Sequence, residues 1–531
     1  MKRRHFLHQA AAAGSALVLG DAVPARPQSA PARADLVLRR ARIYDGTGSA
    51  AFTGDVAIAA GRITEVAARI GTRGSEELDL NGLALSPGFI DIHSHTTTNL
   101  MAESPAQSKV RQGVTTEVSG QDGSSPVDVA AFLRDVDTRG GLVNAASMVG
   151  AGSLRGDVVG SDDRPATPAE IARMIALVRA ALDGGACGVS SGLEYTPGGF
   201  ADATELEALA TPLRGTGLAF ASHMRNEDDR VLGSVEEILG IGQRAGVGAH
   251  ISHLKAQGER NWWKTDSIFH VIEGARAAGV DATFDVYPYI AYSTGITNLF
   301  PLWSRDGGTD AFLARLDDSA HAARIEAAVR AKIASLGTWD AVQFTSSGAP
   351  EFAWIVGKRL GRLAQERASE PYALLLEIVR GTRARPGMVG FGMSEENVAK
   401  KLAHPLAMVC SDAGAVSPGS GAPHPRAYGA FPRVLGKYVR DMKVLSLASA
   451  IHKMTMRPAQ RLRFDDRGRI AVNMAADLVV FDPDTVSDRA TFEDPHQYAA
   501  GIPHVIVNGA FVLRAGEVLA VKPGRAVRPA R

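Results

Sequence analysis

The chain has 531 residues, of which 45% are hydrophobic and 22% are charged, a composition typical of globular proteins that argues against a disordered, collagen-like or coiled-coil chain. Its 58 Lys and Arg residues nearly balance its 57 Asp and Glu residues, so we expect no non-specific binding of nucleic acid or of an anionic membrane surface. Two cysteines, Cys187 and Cys410, are too few for a disulfide framework or a thiolate zinc knuckle, and because both lie in apolar runs we expect buried free thiols.

Residues 1–32 have the features of an export signal. Lys2, Arg3 and Arg4 precede a short apolar run, which is followed by small residues suited to cleavage. The string RRHFL resembles the twin-arginine signal of bacteria, and a general secretory signal with a chance pair of arginines is the alternative. We therefore expect a periplasmic or secreted bacterial protein that has no membrane anchor once the signal peptide is removed.

Short segments rich in Val and Ile, separated by Gly-containing turns, occur at both ends of the remaining chain. They occupy residues 34–84 and 464–523, with turns at Gly46, Gly61 and Gly509. Strands from opposite ends of a chain can pair only if the ends meet, so we expect one small β-sandwich domain built from both segments. The intervening residues would then be inserted into it.

Residues 85–463 alternate short apolar runs with amphipathic stretches, a pattern typical of repeated βα units. The pattern predicts eight strands, at residues 89–93, 115–119, 142–149, 188–191, 218–222, 247–252, 283–287 and 406–411. Eight such units favour an α/β fold with a closed, TIM-like (β/α)8 barrel over an open doubly wound sheet, because no Gly-rich dinucleotide loop follows the first strand. More than a hundred residues separate the last two strands, so we expect a lid or insertion at about residues 290–390.

One helix in this region has clear start and stop signals. Thr167 is placed as the N-cap, Pro168 as the first helical residue, and Glu170 as the partner of Thr167 in a capping box. Gly184 and Gly185 are expected to end the helix. A similar start is predicted at Asp202.

Polar residues lie at the ends of several predicted barrel strands, where the active sites of such barrels are built. His93 and His95 follow the first strand and share a face, His223 and His253 follow the fifth and sixth, and Asp412 follows the eighth. Each histidine alone could be a hydrogen-bonded structural residue. Together, these imidazoles and the carboxylate are ligand types that zinc accepts, and they predict a site for one or two divalent metal ions, with Zn²⁺ as the expected ion.

Longer strings around these residues resemble a known family. The string SPGFIDIHSH, with the later histidines and Asp412 at strand ends and β structure at both chain ends, is similar to the amidohydrolase superfamily. Within this superfamily, the chain resembles the D-aminoacylase (N-acyl-D-amino-acid deacylase) family across most of residues 34–523. This finer resemblance is carried by the strings SGLEYTPG, ASHMRNE, ISHLKAQG, FDVYPY, CSDAGAV and PHPRAYGAFPRVLG. The resemblance implies metal-dependent hydrolysis of the amide bond of a small N-acyl amino acid of D configuration, giving a carboxylate and a free amino acid.

The resemblance also implies roles for individual residues. Asp412 would be a metal ligand and the catalytic group that accepts a proton from the attacking water and returns it to the leaving amine. The substrate carboxylate would be bound by Arg426, Lys255, Tyr195 and Tyr289, and Arg426 is favoured because a guanidinium can hold a carboxylate with two hydrogen bonds. For Lys255 and Tyr289, packing at the barrel rim is the alternative.

The chain departs from the family pattern after the second strand. The D-aminoacylases that it resembles have an Asn-Cys-Gly turn there, whose cysteine ligates zinc, whereas this chain has Gln121, Asp122 and Gly123. It also lacks a lysine at residues 190–194, where other amidohydrolases carry a carboxylated lysine between two metals. Asp122 is therefore a candidate bridging ligand, and an Asx-turn within its own loop is the alternative.

Two other functions remain open at this stage. One is hydrolysis of a cyclic amide, as in hydantoin or dihydroorotate hydrolysis, which would not need Lys255 and Arg426 to hold a free carboxylate. The other is a degenerate barrel that binds a ligand without turnover, because the cysteine expected from the family is missing. The sequence indicates no oligomeric state.

Overall fold

The structure is a computed structural model that describes residues 33–96 and 98–530, so the predicted signal peptide lies outside the described residues. The strands are β1 Ala34–Ile43, β2 Phe52–Ala59, β3 Arg62–Ala67, β4 Gly74–Asp79, β5 Ala84–Pro87, β6 Phe89–Asp91, β7 Val114–Ser119, β8 Asn144–Ser147, β9 Val149–Gly150, β10 Val189–Gly192, β11 Ala219–His223, β12 Gly248–Ile251, β13 Ala282–Val286, β14 Ala291–Gly295, β15 Val342–Phe344, β16 Gly387–Phe391, β17 Ala407–Val409, β18 Leu478–Phe481, β19 His504–Val507, β20 Ala510–Arg514 and β21 Glu517–Val518.

The α-helices are α1 Glu103–Val110, α2 Val129–Arg139, α3 Ala151–Val158, α4 Pro168–Asp183, α5 Ala203–Ala210, α6 Val231–Ala245, α7 Lys264–Ala277, α8 Gly308–Asp317, α9 Ser319–Leu336, α10 Leu360–Glu366, α11 Pro371–Gly381, α12 Glu395–Ala403, α13 Arg426–Arg433, α14 Leu447–Met454 and α15 Met456–Arg461. A π-helical segment, Val434–Asp441, continues α13. Among the described residues, no helix is both long enough and apolar enough to cross a bilayer.

Strands from both ends of the chain form one sheet. Its order is β21-β20-β19-β18-β5-β1-β2-β3, with β4 beside β1. The two ends meet where β5 pairs antiparallel with β18, so that Ala84 lies opposite Phe481. Side chains from both ends, such as Leu38, Val56, Val480 and Ile506, share one apolar core, which neither end could bury alone.

The eight predicted barrel strands form a closed parallel barrel. One sheet contains β6-β7-β8 and the other contains β9-β10-β11-β12-β13-β17 in that spatial order. The predicted third strand is interrupted at Met148, whose backbone N–H donates to Ser119, so that β8 pairs with β7 while β9 pairs with β10. A parallel bridge between Ser94 and Ala413 joins the first and last strands. The prediction of a TIM-like barrel inserted into a β-sandwich domain is confirmed.

The segment between β13 and β17 forms a substructure of its own. It contains an antiparallel sheet with the strand order β14-β16-β15. Helices α8 to α12 belong to the same segment of the chain. We call this substructure the insertion. Its residues Tyr292 and Asn298 reach the cavity at the carboxyl end of the barrel, as do the two residues after Tyr292.

The local signals predicted for the helices and cysteines are confirmed. Thr167 caps α4 through a complete capping box with Glu170, the helix ends before Gly184, and the side chain of Asp202 accepts a hydrogen bond at the start of α5. Cys187 and Cys410 are free thiols and both are buried.

A fully buried lysine ties together the strands at which the barrel closes. Lys109 of α1 places its Nζ 3.1 Å from Asp91 at the end of β6 and 2.9 Å from Glu117 in β7. The same ammonium donates to the hydroxyl of Ser411 at 2.9 Å and to the carbonyl of Ala413 at 2.8 Å, both beyond β17. One cation thus compensates two buried carboxylates across the seam of the barrel.

Replacing Lys109 by Met should lower the free energy of unfolding by about 3–5 kcal/mol, because the carboxylates of Asp91 and Glu117 would stay buried without a cation. Urea denaturation followed by circular dichroism would measure the change. The matched control is Lys400→Met at an exposed ion pair with Asp266, which should cost less than about 1 kcal/mol. Equal stabilities of the two variants would contradict the assigned role.

Candidate metal centre

The predicted ligands converge at the carboxyl end of the barrel. His93 and His95 follow β6, Asp122 follows β7, His223 ends β11, His253 follows β12 and Asp412 follows β17. All of them except His93 line a cavity of about 550 Å³, and His93 is fully buried beside them. This is the end at which barrels of this type build their active sites.

One group of ligand atoms surrounds an oxygen of Asp122. His223 Nδ1 lies 2.9 Å from His253 Nε2. Asp122 Oδ2 lies 3.3 Å from His253 Nε2 and 3.8 Å from His223 Nδ1. These three atoms face one another as ligands of a common ion would.

A second group shares the same carboxylate. His93 Nε2 lies 3.4 Å from Asp122 Oδ1 and 3.6 Å from Asp412 Oδ1. His95 Nε2 lies 3.4 Å from Asp122 Oδ2 and 3.0 Å from Asp412 Oδ1. Asp122 therefore stands between the two groups, and either of its oxygens could serve an ion.

The donor set fits a divalent cation. Both ring nitrogens of His93 and Oδ1 of Asp122 are buried without a hydrogen-bond partner, which is rare for buried polar atoms in a native structure. Ligand atoms of His93, Asp122, His253 and Asp412 all lie within 4.8 Å of one another. Imidazole nitrogens and carboxylate oxygens are ligands that zinc accepts, so a metal ion would satisfy these atoms.

The site concentrates opposite charges on candidate ligands that, apart from His95, are buried. Burial alone would lower the pKa of His223, yet the carboxylates of Glu227, Asp122 and Glu194 raise it to about 10. Burial would raise the pKa of Asp122, but the imidazoles of His93 and His253 hold it well below its usual range. The carboxylates thus stabilise positive charge at this position, and a metal ion would replace protons on the imidazoles.

The turn after β7 delivers Asp122 to this position. Asp122 has a φ of 52°, and Gly120 and Gly123 each have a φ of 75°, a left-handed conformation that glycine adopts without strain. A Cβ on Gly120 would lie 2.2 Å from the carbonyl oxygen of Met148, so the backbone approaches too closely there for a side chain. The turn closes through the N–H of Ser124, which donates to the carbonyl of Gln121, while the Asp122 carboxylate faces the histidines. This geometry does not favour an Asx-turn.

Two buried carboxylates at the site were missed by sequence reasoning. Glu227 lies 3.2 Å from His253 Nδ1 and accepts hydrogen bonds from Lys255 at 2.9 Å and from Gln257 at 2.7 Å. Its signal was present, because Glu227 stands four residues after His223 in the string ASHMRNE. Carboxylates that contact the outer nitrogen of a ligand histidine fix its orientation.

The second missed carboxylate is that of Asp285, the second residue of the string FDVYPY, which lies in β13. It lies 3.5 Å from His93 Nδ1 and accepts the backbone N–H of His253 at 2.7 Å. It also lies 2.7 Å from His250 Nε2. Asp285 therefore fixes the positions of two predicted ligands from within the barrel.

The four predicted substrate-binding residues divide into two pairs. Tyr195 and Lys255 line the cavity. Tyr289 does not, because its hydroxyl donates to Asp488 at 3.3 Å. Arg426 is also outside the lining and donates to Asp412 Oδ2 at 2.7 Å, while its guanidinium lies over the ring of Tyr287. One nitrogen of the Arg426 guanidinium thus already binds a carboxylate of the protein.

Comparisons with known proteins agree with this geometry. Residues 76–513 match the family described as Amidohydrolase family. The chain belongs to this family. N-acyl-D-glutamate deacylase and D-aminoacylase of Alcaligenes xylosoxydans xylosoxydans are each 33% identical to it, over 93% and 92% of this chain and 96% and 97% of theirs. These matches place the chain in the D-aminoacylase branch of the amidohydrolases.

Solved structures give the same result. The crystal structure of N-acyl-D-glutamate deacylase from Bordetella bronchiseptica, complexed with zinc and a phosphonate inhibitor, superposes with a TM-score of 0.80 at 31% identity, covering 93% of this chain and 100% of that one. A D-aminoacylase crystal structure superposes with a TM-score of 0.79 at 32% identity and the same coverage. The relatives are thus metal-binding amidohydrolases of the same architecture.

Replacing Asp122 by Ala should weaken metal binding by more than the roughly 10–100-fold that outer-shell changes cost, because the residue stands between both groups of ligands. Asp122→Cys should bind zinc more tightly and discriminate more strongly against Mn²⁺, because a thiolate is a softer ligand than a carboxylate. Metal titration and elemental analysis of purified protein would measure both effects.

The control is Asp441→Ala, whose side chain is 57% exposed and pairs only with the adjacent Arg440 among the ion pairs of the described residues. It should bind metal as the unmodified protein does. Normal metal content in Asp122→Ala would assign Asp122 to the turn alone.

Proposed function

We propose that this chain is an N-acyl-D-amino-acid deacylase that uses a divalent metal, with zinc as the favoured ion, to hydrolyse its substrate to a carboxylate and a free D-amino acid. The observation that carries the proposal is the convergence of three imidazoles and the carboxylates of Asp122 and Asp412 on one cavity, with the imidazole of His93 buried beside them. The chain also aligns with such deacylases over nearly its full length. Zinc is favoured by the ligand types and by its presence in the Bordetella structure.

The proton transfers are assigned to Asp412. When bound, the metal acts as a Lewis acid toward the amide carbonyl and makes water acidic enough to attack at neutral pH. Arg426 donates to Asp412 Oδ2 and holds the pKa of this carboxylate well below its usual range despite burial, so Oδ1 is an ionised acceptor. Oδ1 can take the proton of the attacking water and deliver it to the leaving nitrogen, which would otherwise depart as a strongly basic anion.

Tyr195 and Lys255 supply the polar contacts for the substrate. Burial raises the pKa of the Tyr195 phenol well above its usual value, so its hydroxyl stays protonated and can donate to the oxygen that becomes negative during attack. Lys255 is the cationic group on the cavity wall that can bind the α-carboxylate. Tyr292 and Asn298 of the insertion form part of the cavity wall.

The alternatives weighed from the sequence are not favoured. Hydantoinase structures share the fold, with a TM-score of 0.56 for an L-hydantoinase, but at 15% identity the likeness concerns the fold alone. Buried polar atoms of His93 and Asp122 have no hydrogen-bond partner. Such an arrangement is costly, and a barrel without turnover does not account for it.

The function is tested by assaying the zinc-loaded protein on N-acetyl-D- and N-acetyl-L-amino acids. Hydrolysis of the D series, lost after chelation and restored by zinc, is expected. Asp412→Asn should lower kcat by about 10² or more, the usual size of a lost general acid–base group. Measured metal content separates this effect from loss of the ion, and a variant that keeps more than half of the activity with its metal bound would contradict the assignment.

Arg426→Lys tests whether Arg426 binds substrate or positions Asp412. Because its Nη1 donates to Asp412, we expect kcat to fall by a similar factor for an N-acetyl-D-amino acid and for the corresponding amide that lacks the α-carboxylate. A rise in KM confined to the carboxylate substrate would instead support the role that the family resemblance implied.

We also propose export through the twin-arginine route, on the strength of the RRHFL string. Fusion of residues 1–40 to a folded reporter should direct it to the periplasm, and replacement of Arg3 and Arg4 by Lys should abolish this. Undiminished periplasmic signal in the double variant would indicate ordinary secretion.

A further inference from the structure

The cavity offers little positive charge to a substrate. Among the described residues that line it, Lys255 is the only lysine or arginine. Its ammonium donates to Glu227 at 2.9 Å and also contacts His253 Nδ1. Once Lys255 binds the α-carboxylate of an N-acyl amino acid, no second lysine or arginine of the lining is left for a carboxylate on the side chain.

A carboxylate stands on the same wall instead. Glu194 lines the cavity, with 12% of its side chain exposed, and accepts a hydrogen bond from Asn298 of the insertion at 2.8 Å. Its Oε2 lies 3.6 Å from Nε2 of His223, whose Nδ1 faces His253. Since the two nitrogens of an imidazole point away from each other, Glu194 lies on the side of His223 remote from the ligand group.

Glu194 is placed to contact a part of the substrate that does not react. The scissile amide must lie near Asp122 and Asp412, whereas Glu194 pairs with the candidate ligands only at Nε2 of His223, among the ion pairs of the described residues. Gly192 and Tyr195, which lie two residues before and one residue after Glu194, also line the cavity. A substrate side chain that extends past His223 would meet this carboxylate.

We propose that Glu194 determines substrate specificity, so that the protein accepts N-acyl-D-amino acids with an uncharged or cationic side chain and rejects those with a carboxylate side chain. The inference rests on the proposed deacylase function. It would separate this chain from the N-acyl-D-glutamate and N-acyl-D-aspartate deacylases to which it is similar. Lys332 compensates part of the charge of Glu194 from outside the lining of the cavity. A second carboxylate brought to Glu194 would still meet a like charge within the lining, and such a contact opposes binding of a wrong partner.

The competing role for Glu194 is orientation of His223 through Nε2. A positioning residue of that kind would affect every substrate alike. A specificity residue would change the ratio between substrates that differ only in side-chain charge. The experiment therefore compares ratios of kcat/KM rather than single rates.

The zinc-loaded protein is assayed on N-acetyl-D-glutamine and N-acetyl-D-glutamate, which have nearly the same shape, and on N-acetyl-D-lysine and N-acetyl-D-norleucine. We expect glutamine to exceed glutamate in kcat/KM by at least about 100-fold. In Glu194→Gln, this ratio should fall at least about tenfold, and the ratio of lysine to norleucine should fall as well. The control Glu351→Gln, at an exposed glutamate of the insertion, should keep both ratios.

The possible outcomes are distinct. Equal kcat/KM for glutamate and glutamine in the unmodified protein would overturn this inference while leaving the deacylase function intact. Failure to hydrolyse any of the four substrates would overturn the deacylase function itself. An equal loss on all four substrates in Glu194→Gln, with unchanged ratios, would assign Glu194 to the positioning of His223.

Discussion

Closure of the barrel is the constraint on which the rest of the structure depends. The backbone N–H of Asp412 donates to the carbonyl of His93 at 2.9 Å, and the bridge between Ser94 and Ala413 continues this contact. These bonds join the first and last strands, which are far apart in the sequence. The same contact places the carboxylate of Asp412 beside the imidazoles of His93 and His95, so the contact that closes the barrel also brings together residues of the site.

Buried charge is balanced on both sides of this seam. Beneath it, the ammonium of Lys109 serves Asp91 and Glu117. Above it, the carboxylates of Asp122 and Asp412 face a ring of imidazoles. Buried charges are tolerated only with such partners. The carboxylates of the lower group lie within 3.1 Å of an ammonium, whereas His93 Nε2 and Asp122 Oδ1 of the upper group lie 3.4 Å apart and have no hydrogen-bond partner. That difference distinguishes a site for an ion from an internal salt bridge.

Asp122 stands where the family resemblance predicts a cysteine ligand, and as a metal ligand it would have chemical consequences. A carboxylate is a harder ligand than a thiolate and has two oxygens, and here both lie within 4 Å of ligand histidines. Oxygen ligands shift selectivity toward Mn²⁺ and Co²⁺ relative to a thiolate site. The glycines around Asp122 allow the close approach of the backbone that a short side chain needs, so the turn and its ligand are matched.

The sequence by itself determined the architecture and indicated the candidate ligands. Strand periodicity indicated eight βα units, the textures of the two ends indicated that they pair, and His93, His95, His223, His253 and Asp412 were recognisable as polar residues that follow apolar strands. These are local features, since side-chain alternation and capping depend on residues close in the chain. The capping box of Thr167 and Glu170 was predictable for the same reason.

Only the tertiary structure decided which polar side chains face the cavity and which face one another. Arg426 has the chemistry to bind a substrate carboxylate, but in the fold it donates a hydrogen bond to Asp412. Tyr289 likewise donates to Asp488, which comes from the distant C-terminal segment. The spacing of four residues could have linked Glu227 to His223, but its contact with His253, and that of Asp285 with His93, join residues from different strands or turns, which sequence spacing does not reveal. The physical reason is that a buried charge binds the nearest opposite charge in space, and that neighbour is set by the closed barrel rather than by the order of residues.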